Sequence, residues 1–239
     1  LCKNIFSINV KDSFIKKDFG NGIIGITGGM IMRVIAINGS PHKNGNTYES
    51  LAVVTKELEK QGIETEIVHI GNKVIRGCIG CNYCQKNEQN NCVFNEDAVN
   101  ETALKMAEAD GIILGSPVYY SGIAGTMKSF LDRVFYSKSQ YFRYKVCTAV
   151  AAVRRSGGVD TFHQLNNYFN LGEMIIVPSH YWSVIHGRRP GEVLQDDEGV
   201  QTLREAGKSM AWLMKSLDHA KDTVEKPEKE ERKWTHFIR

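Results

Sequence analysis

The chain has 239 residues, enough for one sizeable α/β domain or at most two small ones. Its 42% hydrophobic and 24% charged content is ordinary for a globular protein, and 30 basic against 27 acidic residues leave a net charge of +3. With neither sign dominant and no apolar run of transmembrane length, the composition argues against a nucleic-acid partner and against a membrane.

The first thirty residues fit the remainder poorly. Leu1 is not a usual start, and Met30 and Met32 stand just before the first convincing strand. Residues 1–31 therefore read as an N-terminal extension outside the fold. Apolar, β-branched runs predict strands at Arg33–Asn38, Glu64–Ile70, Gly111–Leu114, Val146–Val153 and Met174–Val177. Helical periodicity fills the gaps. In the first helix Leu51, Val54 and Leu58 share a face, with Asn46 as N-cap, Glu49 at the capping-box position and Gly62 as stop. A second aligns Val99, Ala103, Met106 and Ala107, and a third aligns Ile123, Met127, Phe130, Leu131 and Val134. The last follows an acidic first turn, Asp196-Asp197-Glu198, and aligns Val200, Leu203, Met210, Leu213 and Leu217. Such alternation specifies an α/β three-layer sandwich. Its five-stranded parallel sheet suits the order 2-1-3-4-5, with ligands beyond the carboxyl ends of the strands. Residues 32–217 make that domain, and 218–239, with the run from Lys226 to Lys233, read as a solvated tail.

Three loops at those strand ends carry ligand chemistry. After the first strand comes Gly39-Ser40-Pro41-His42-Lys43-Asn44-Gly45-Asn46-Thr47. Small residues there let the backbone wrap an oxyanion, and the following helix aims free N–H groups at it. Asn46-Thr47 replaces the Lys-Ser/Thr of a Walker A loop, and no G-x-G-x-x-G is present. The phosphate then belongs to a mononucleotide held without magnesium, and flavin mononucleotide (FMN) fits best. After the third strand, Pro117-Val118-Tyr119-Tyr120-Ser121-Gly122 offers amides and rings to a flat heterocycle. After the fourth, Arg154-Arg155-Ser156-Gly157-Gly158 offers two cations and a turn to a pyrimidine edge or a second phosphorylated cofactor. Taken singly these are also a common turn, packing tyrosines and a solvated pair. Together they lie on strand ends that the fold places side by side.

Four of the six cysteines fall in one run, Cys78, Cys81, Cys84 and Cys92, spaced C-x2-C-x2-C-x7-C. Such bunching argues for a reducing cytoplasm and for metal or redox chemistry over secretory disulfides. Four thiolates suffice for a [4Fe–4S] cube; zinc, free thiols and a redox disulfide are the alternatives. Cys147 reads as a small buried hydrophobe, and Cys2 carries no signal. None of the seven histidines has metal-site spacing.

These two glycine-serine loops, the cysteine run and Gly125–Arg133 resemble the NADPH-dependent FMN reductase and iron-sulfur flavoprotein group over about residues 32 to 217. The resemblance implies a flavodoxin-like fold, bound FMN, and NADPH or NADH as electron donor in a homodimer or homotetramer. It also implies that Ser40, His42, Asn46 and Thr47, with Asn44 and Gly45 between them, hold the phosphate, and that Pro117 to Gly122 border the isoalloxazine. His42 replaces an Arg often found there, which implies a looser grip or a tighter one at lower pH. Trp182 is a further candidate near the flavin. Electrons would pass to a small-molecule or protein acceptor, or to a cluster on the four cysteines. Three other functions share these residues: a flavodoxin-type carrier, an FMN-dependent dehydrogenase of one substrate, and a zinc-binding module without catalysis.

Overall fold

A computed structural model of the protein describes residues 31–238. The predicted extension, Ile31 apart, and Cys2 lie outside the described residues. The strands are β1 (Arg33–Asn38), β2 (Glu64–His69), β3 (Gly111–Tyr119), β4 (Gly122–Ile123), β5 (Val146–Val153), β6 (Ile175–Ile176) and β7 (Val184–His186). The helices are α1 (Asn46–Glu59), α2 (Val99–Glu108), α3 (Gly125–Lys138), α4 (Gly158–Leu171) and α5 (Asp197–Ala220).

Hydrophobic alternation within continuous apolar runs explains the layering. Val34 and Ala36 of β1 face one core, with Leu51, Val54 and Leu58 of α1 and Leu203 and Met210 of α5. Ile35 and Ile37 face the other, with Val99 and Met106 of α2, Phe130 of α3 and Phe169 of α4. Both faces of the sheet are dry, so both faces of a central strand must be apolar. Cys147 lies in the second core, fully buried, as a small hydrophobe would.

The sheet runs β2-β1-β3-β5-β6, all parallel along that path. Setting aside β4, an antiparallel hairpin partner of β3, this is the predicted 2-1-3-4-5 order. The structure corrects several expectations. The fifth position is shared: β6 pairs with β5 only at Val146 and Cys147, and β7 pairs with it at Ala151–Val153. The predicted strand Met174–Val177 is thus two residues long. Helix α4 was absent from the sequence reading, and α5 runs to Ala220, past the predicted tail boundary. Leu217 is exposed and not part of the buried face. At α1, Gly45 and not Asn46 is the N-cap, with no side-chain capping bond, so the Glu49 capping box does not form. Gly62 does end the turn, with φ +79°.

Candidate functional site

The loop after β1 is tied from beneath by its last strand residue. Asn38, fully buried, accepts from the Ser40 N–H at 3.0 Å through Oδ1 and donates to the Lys43 carbonyl at 3.1 Å through Nδ2. Ser40 Oγ accepts from the His42 N–H, and the His69 ring N–H donates to the Ser40 carbonyl at 2.7 Å. Sequence reasoning missed both Asn38 and His69, since each lies within a strand and only the fold turns it under the loop. Ser40, Gly45 and Thr47 are buried, whereas His42 and Asn44 are exposed.

Helix α1 then begins without a cap. Its first intrahelical bond runs from Glu49 N–H to Gly45 O, so the N–H groups of Gly45, Asn46, Thr47 and Tyr48 are the four that a helix cannot satisfy itself. Natural helices usually meet such groups with a side chain, water or a ligand. Asn46 Oδ1 is buried with no hydrogen-bond partner among the described residues, and its amide lies against the loop after β7: a Cβ on Gly187 would stand 3.1 Å from Asn46 Nδ2. A cluster of free donors beside an orphaned acceptor suits an anion joined to a hydroxyl-bearing chain.

The second loop is a two-residue hairpin. Val118 pairs with Ile123 and Tyr119 with Gly122, which leaves Tyr120 and Ser121 as the turn, both with positive φ (+49° and +58°). Non-glycine residues seldom hold this conformation, and where they do the site is often functional. Buried Ser116 Oγ receives the Ala124 N–H at 3.1 Å and Gln164 of α4 reaches the Ser121 carbonyl, so both ends of the hairpin are pinned. Tyr119 and Tyr120 extend into solvent.

The third loop meets the second. A Cβ on Gly157 would lie 2.7 Å from Ser121 Oγ and 3.0 Å from a Val118 methyl group, so the two turns are in contact. Arg154 and Arg155 are exposed beside them. Arg155, Gly157 and Gly158 also border a cavity of about 260 Å³ shared with Tyr181, Trp182 and His186. Trp182 thus stands behind the third loop, against Tyr181 at a ring-centroid distance of 4.7 Å.

The cysteine run lies along α3. Cys78, Cys81, Cys84 and Cys92 all line one small cavity of about 20 Å³, together with Phe94, Arg133 and Tyr136. Among the described residues no three such side chains stand at metal-ligating spacing. Cys78 and Cys81 are exposed and Cys84 is buried. Burial pushes the Cys84 thiol up, a Gln85 side-chain donor opposes this, and Cys92 and Cys78 nearby raise it further. The four cysteines line the same cavity, and thiols are the ligands that an iron–sulfur centre takes. Cys78 and Cys81 lie on an exposed stretch beside Gly77 and Gly80.

The sequence pattern of the family described as NADPH-dependent FMN reductase matches residues 32–188. An iron-sulfur flavoprotein of Methanocaldococcus jannaschii is 38% identical over 194 residues, covering 78% of this chain and 99% of that protein. An iron-sulfur flavoprotein of Archaeoglobus fulgidus is 35% identical, covering 77% and 81% respectively. Among solved structures, a WrbA-like flavodoxin from Agrobacterium tumefaciens matches with a TM-score of 0.54 at 16% identity, covering 78% of this chain and 99% of that one. An archaeal flavodoxin matches at 0.51 and 15% identity, with coverage of 77% and 99%. These two likenesses concern the fold. A parallel sheet with loops at one edge, the matching family pattern, and relatives alike in sequence over most of their own length make this chain a member of the NADPH-dependent FMN reductase and iron-sulfur flavoprotein family, an FMN-reductase-like oxidoreductase of flavodoxin-like fold.

Proposed function

We propose that the protein binds FMN non-covalently at the edge formed by the loops after β1, β3 and β5, takes reducing equivalents from NADPH or NADH, and passes electrons to an iron–sulfur centre or a small acceptor. The observation that carries this reading is the uncapped start of α1, where the N–H groups of Gly45, Asn46, Thr47 and Tyr48, and Asn46 Oδ1, find no partner among the described residues. Ser40, His42, Asn44, Gly45, Asn46 and Thr47 would hold the phosphate, by backbone donors and the Ser40 and Thr47 hydroxyls. Pro117 to Gly122 would border the ring system, with Arg154, Arg155, Gly157 and Gly158 closing its far side.

When bound, FMN supplies the redox chemistry, since it accepts a hydride and releases electrons singly or in pairs. The chain's own work is then to position and shield. Asn38 fixes the loop backbone, and Gln164 and Ser116 pin the hairpin; the Tyr120-Ser121 turn would offer its amides to the flavin. No side chain need move a proton for hydride transfer. Cys78, Cys81, Cys84 and Cys92 would hold the iron–sulfur centre, and the names borne by the relatives support that reading. Helix α3 joins the two places. It starts just after the hairpin, and Gly125 to Arg133 spans about 12 Å of helix.

The test is an anaerobic absorption spectrum of the purified protein before and after NADPH, run beside the Asn46→Ala/Thr47→Ala double variant. Flavin bands that bleach with NADPH, and their loss from the double variant, are the expected results. A double variant with full flavin content would remove the phosphate assignment.

A further inference from the structure

Beneath the cysteine loop, Arg133 of α3 has a side chain with no solvent exposure. All five of its N–H donors are engaged. Nε donates to Cys92 Sγ at 3.2 Å, Nη1 to the Arg76 carbonyl and Asp97 Oδ2, and Nη2 to the Phe94 carbonyl and Asp97 Oδ1. The Phe94 ring packs against both the Arg76 and Arg133 guanidinium groups, at 4.7 and 5.3 Å. The neighbouring contacts secure the same loop: Tyr136 reaches Asn82, Gln85 donates to the Tyr136 carbonyl, and Lys138 Nζ meets the Gln89 carbonyl.

A loop can be held more cheaply than this. Burying an ion pair returns little net stability over a well-packed apolar pair. What the Arg133–Asp97 pair adds is direction. Asp97 takes the outer edge of the guanidinium, and the Nε edge faces a sulfur. The fork is planar, so the carboxylate on one side fixes where the remaining N–H points.

We propose that Arg133, oriented by Asp97, is a positioning residue that fixes Cys92 as the fourth ligand and raises the electron affinity of an iron–sulfur centre on Cys78, Cys81, Cys84 and Cys92. The proposal rests on the cluster reading given above. Reduction brings one electron from the reduced flavin into the centre, and no bond is made or broken. The charge of the centre becomes one unit more negative. An N–H and a positive edge aimed at a ligand sulfur favour that more negative form, and hydrogen bonds to ligand sulfurs are an established control of cluster potential. Asp97 tempers the effect, because its charge partly cancels the guanidinium.

Two variants move the potential in opposite directions. Asp97→Asn keeps the shape and leaves the guanidinium uncompensated, so the cluster midpoint becomes less negative than in the wild type. Arg133→Gln combined with Asp97→Asn removes both charges while keeping polar groups of similar size, so the midpoint becomes more negative than in the wild type. Asp97→Asn strands a buried charge, whereas the double variant leaves none, so the double variant alone decides the matter should Asp97→Asn fail to fold. The measurement is an anaerobic redox titration followed by electron paramagnetic resonance. Iron, acid-labile sulfide and flavin are assayed on the same samples. A purely structural ion pair would lower iron content in both variants and leave the midpoint of the remaining centres in place. Unchanged midpoints, or shifts of the same sign, in protein with full iron and sulfide overturn the role of Arg133 and leave the cluster reading standing. Wild-type protein with neither iron nor sulfide overturns both.

Discussion

At Gly157 the backbone takes φ +84°, and a Cβ would meet both the Ser121 hydroxyl and the Ser121 Cα, the latter at 2.8 Å. The obstacle is therefore backbone as well as side chain, and the conformation itself disfavours any L residue. Gly157→Ala is expected to cost more than about 1 kcal/mol and to push the third loop off the hairpin. Denaturant midpoints read the first effect and flavin retention on gel filtration reads the second; unchanged flavin would separate this contact from the binding edge. The sequence showed that this glycine sat in a ligand-type turn. It did not show that Ser121, 36 positions earlier, would be its neighbour, because that contact exists only once β3 and β5 pair. Asn38 was equally hidden. A polar residue ending an apolar strand is read as the strand's limit, whereas here it is the buried knot of the loop.

Helix boundaries show the same division at the next scale. The acidic start of α5 was legible, and Asp196 is its N-cap, accepting from Gly199 N–H at 2.9 Å. Burial works to raise the Asp196 pKa; the Gly199 and His186 backbone donors and the His186 ring outweigh it and hold the carboxyl below its usual value. A depressed carboxyl stabilises the fold above the unfolded-state value of about 3.9 and loses that contribution as the pH falls through the lower folded value. Asp196→Ala is therefore expected to cost about 1 kcal/mol at neutral pH. The difference from wild type should shrink below about pH 4, read from urea melts across the acid range. At α1 the pattern of Asn46 and Glu49 spelled a capping box, yet the helix starts bare. Capping signals report what a helix end can do for itself, and here the end is left open. Helix α4 is poorly legible in the sequence because it opens on Gly157-Gly158 and because Asn166-Asn167 interrupt a pattern that Phe162, Leu165 and Phe169 otherwise carry.

For the molecule as a whole, stability resides in two cores either side of the sheet, and the chain after α5 adds little to them. Residues 221–238 are exposed throughout, in keeping with the high charge of that stretch. Truncation after Val224 is expected to leave the thermal unfolding midpoint within about 2 °C of the full chain, the shift that under 0.5 kcal/mol produces in a domain of this size. A larger fall in calorimetry would give the tail a structural role. The same architecture sets the distance between the hairpin and the cysteine loop. One face of α3 builds the core, its first turn follows the hairpin, and Arg133 and Lys138 hold the cysteine loop farther along.

The sequence by itself determined the alternation of strand and helix, the parallel order of the sheet, the three glycine-bearing loops and the run of four cysteines. All but the sheet order are written in local periodicity or spacing, which need no partner to be read, and the order follows from the fold class that the alternation specifies. Tertiary structure alone decided which loops touch, that α1 stays uncapped, and that a buried guanidinium lies against Cys92. Those facts depend on groups far apart in the chain, Arg133 and Cys92 being 41 residues from each other, and only the packed sheet brings them within hydrogen-bonding reach.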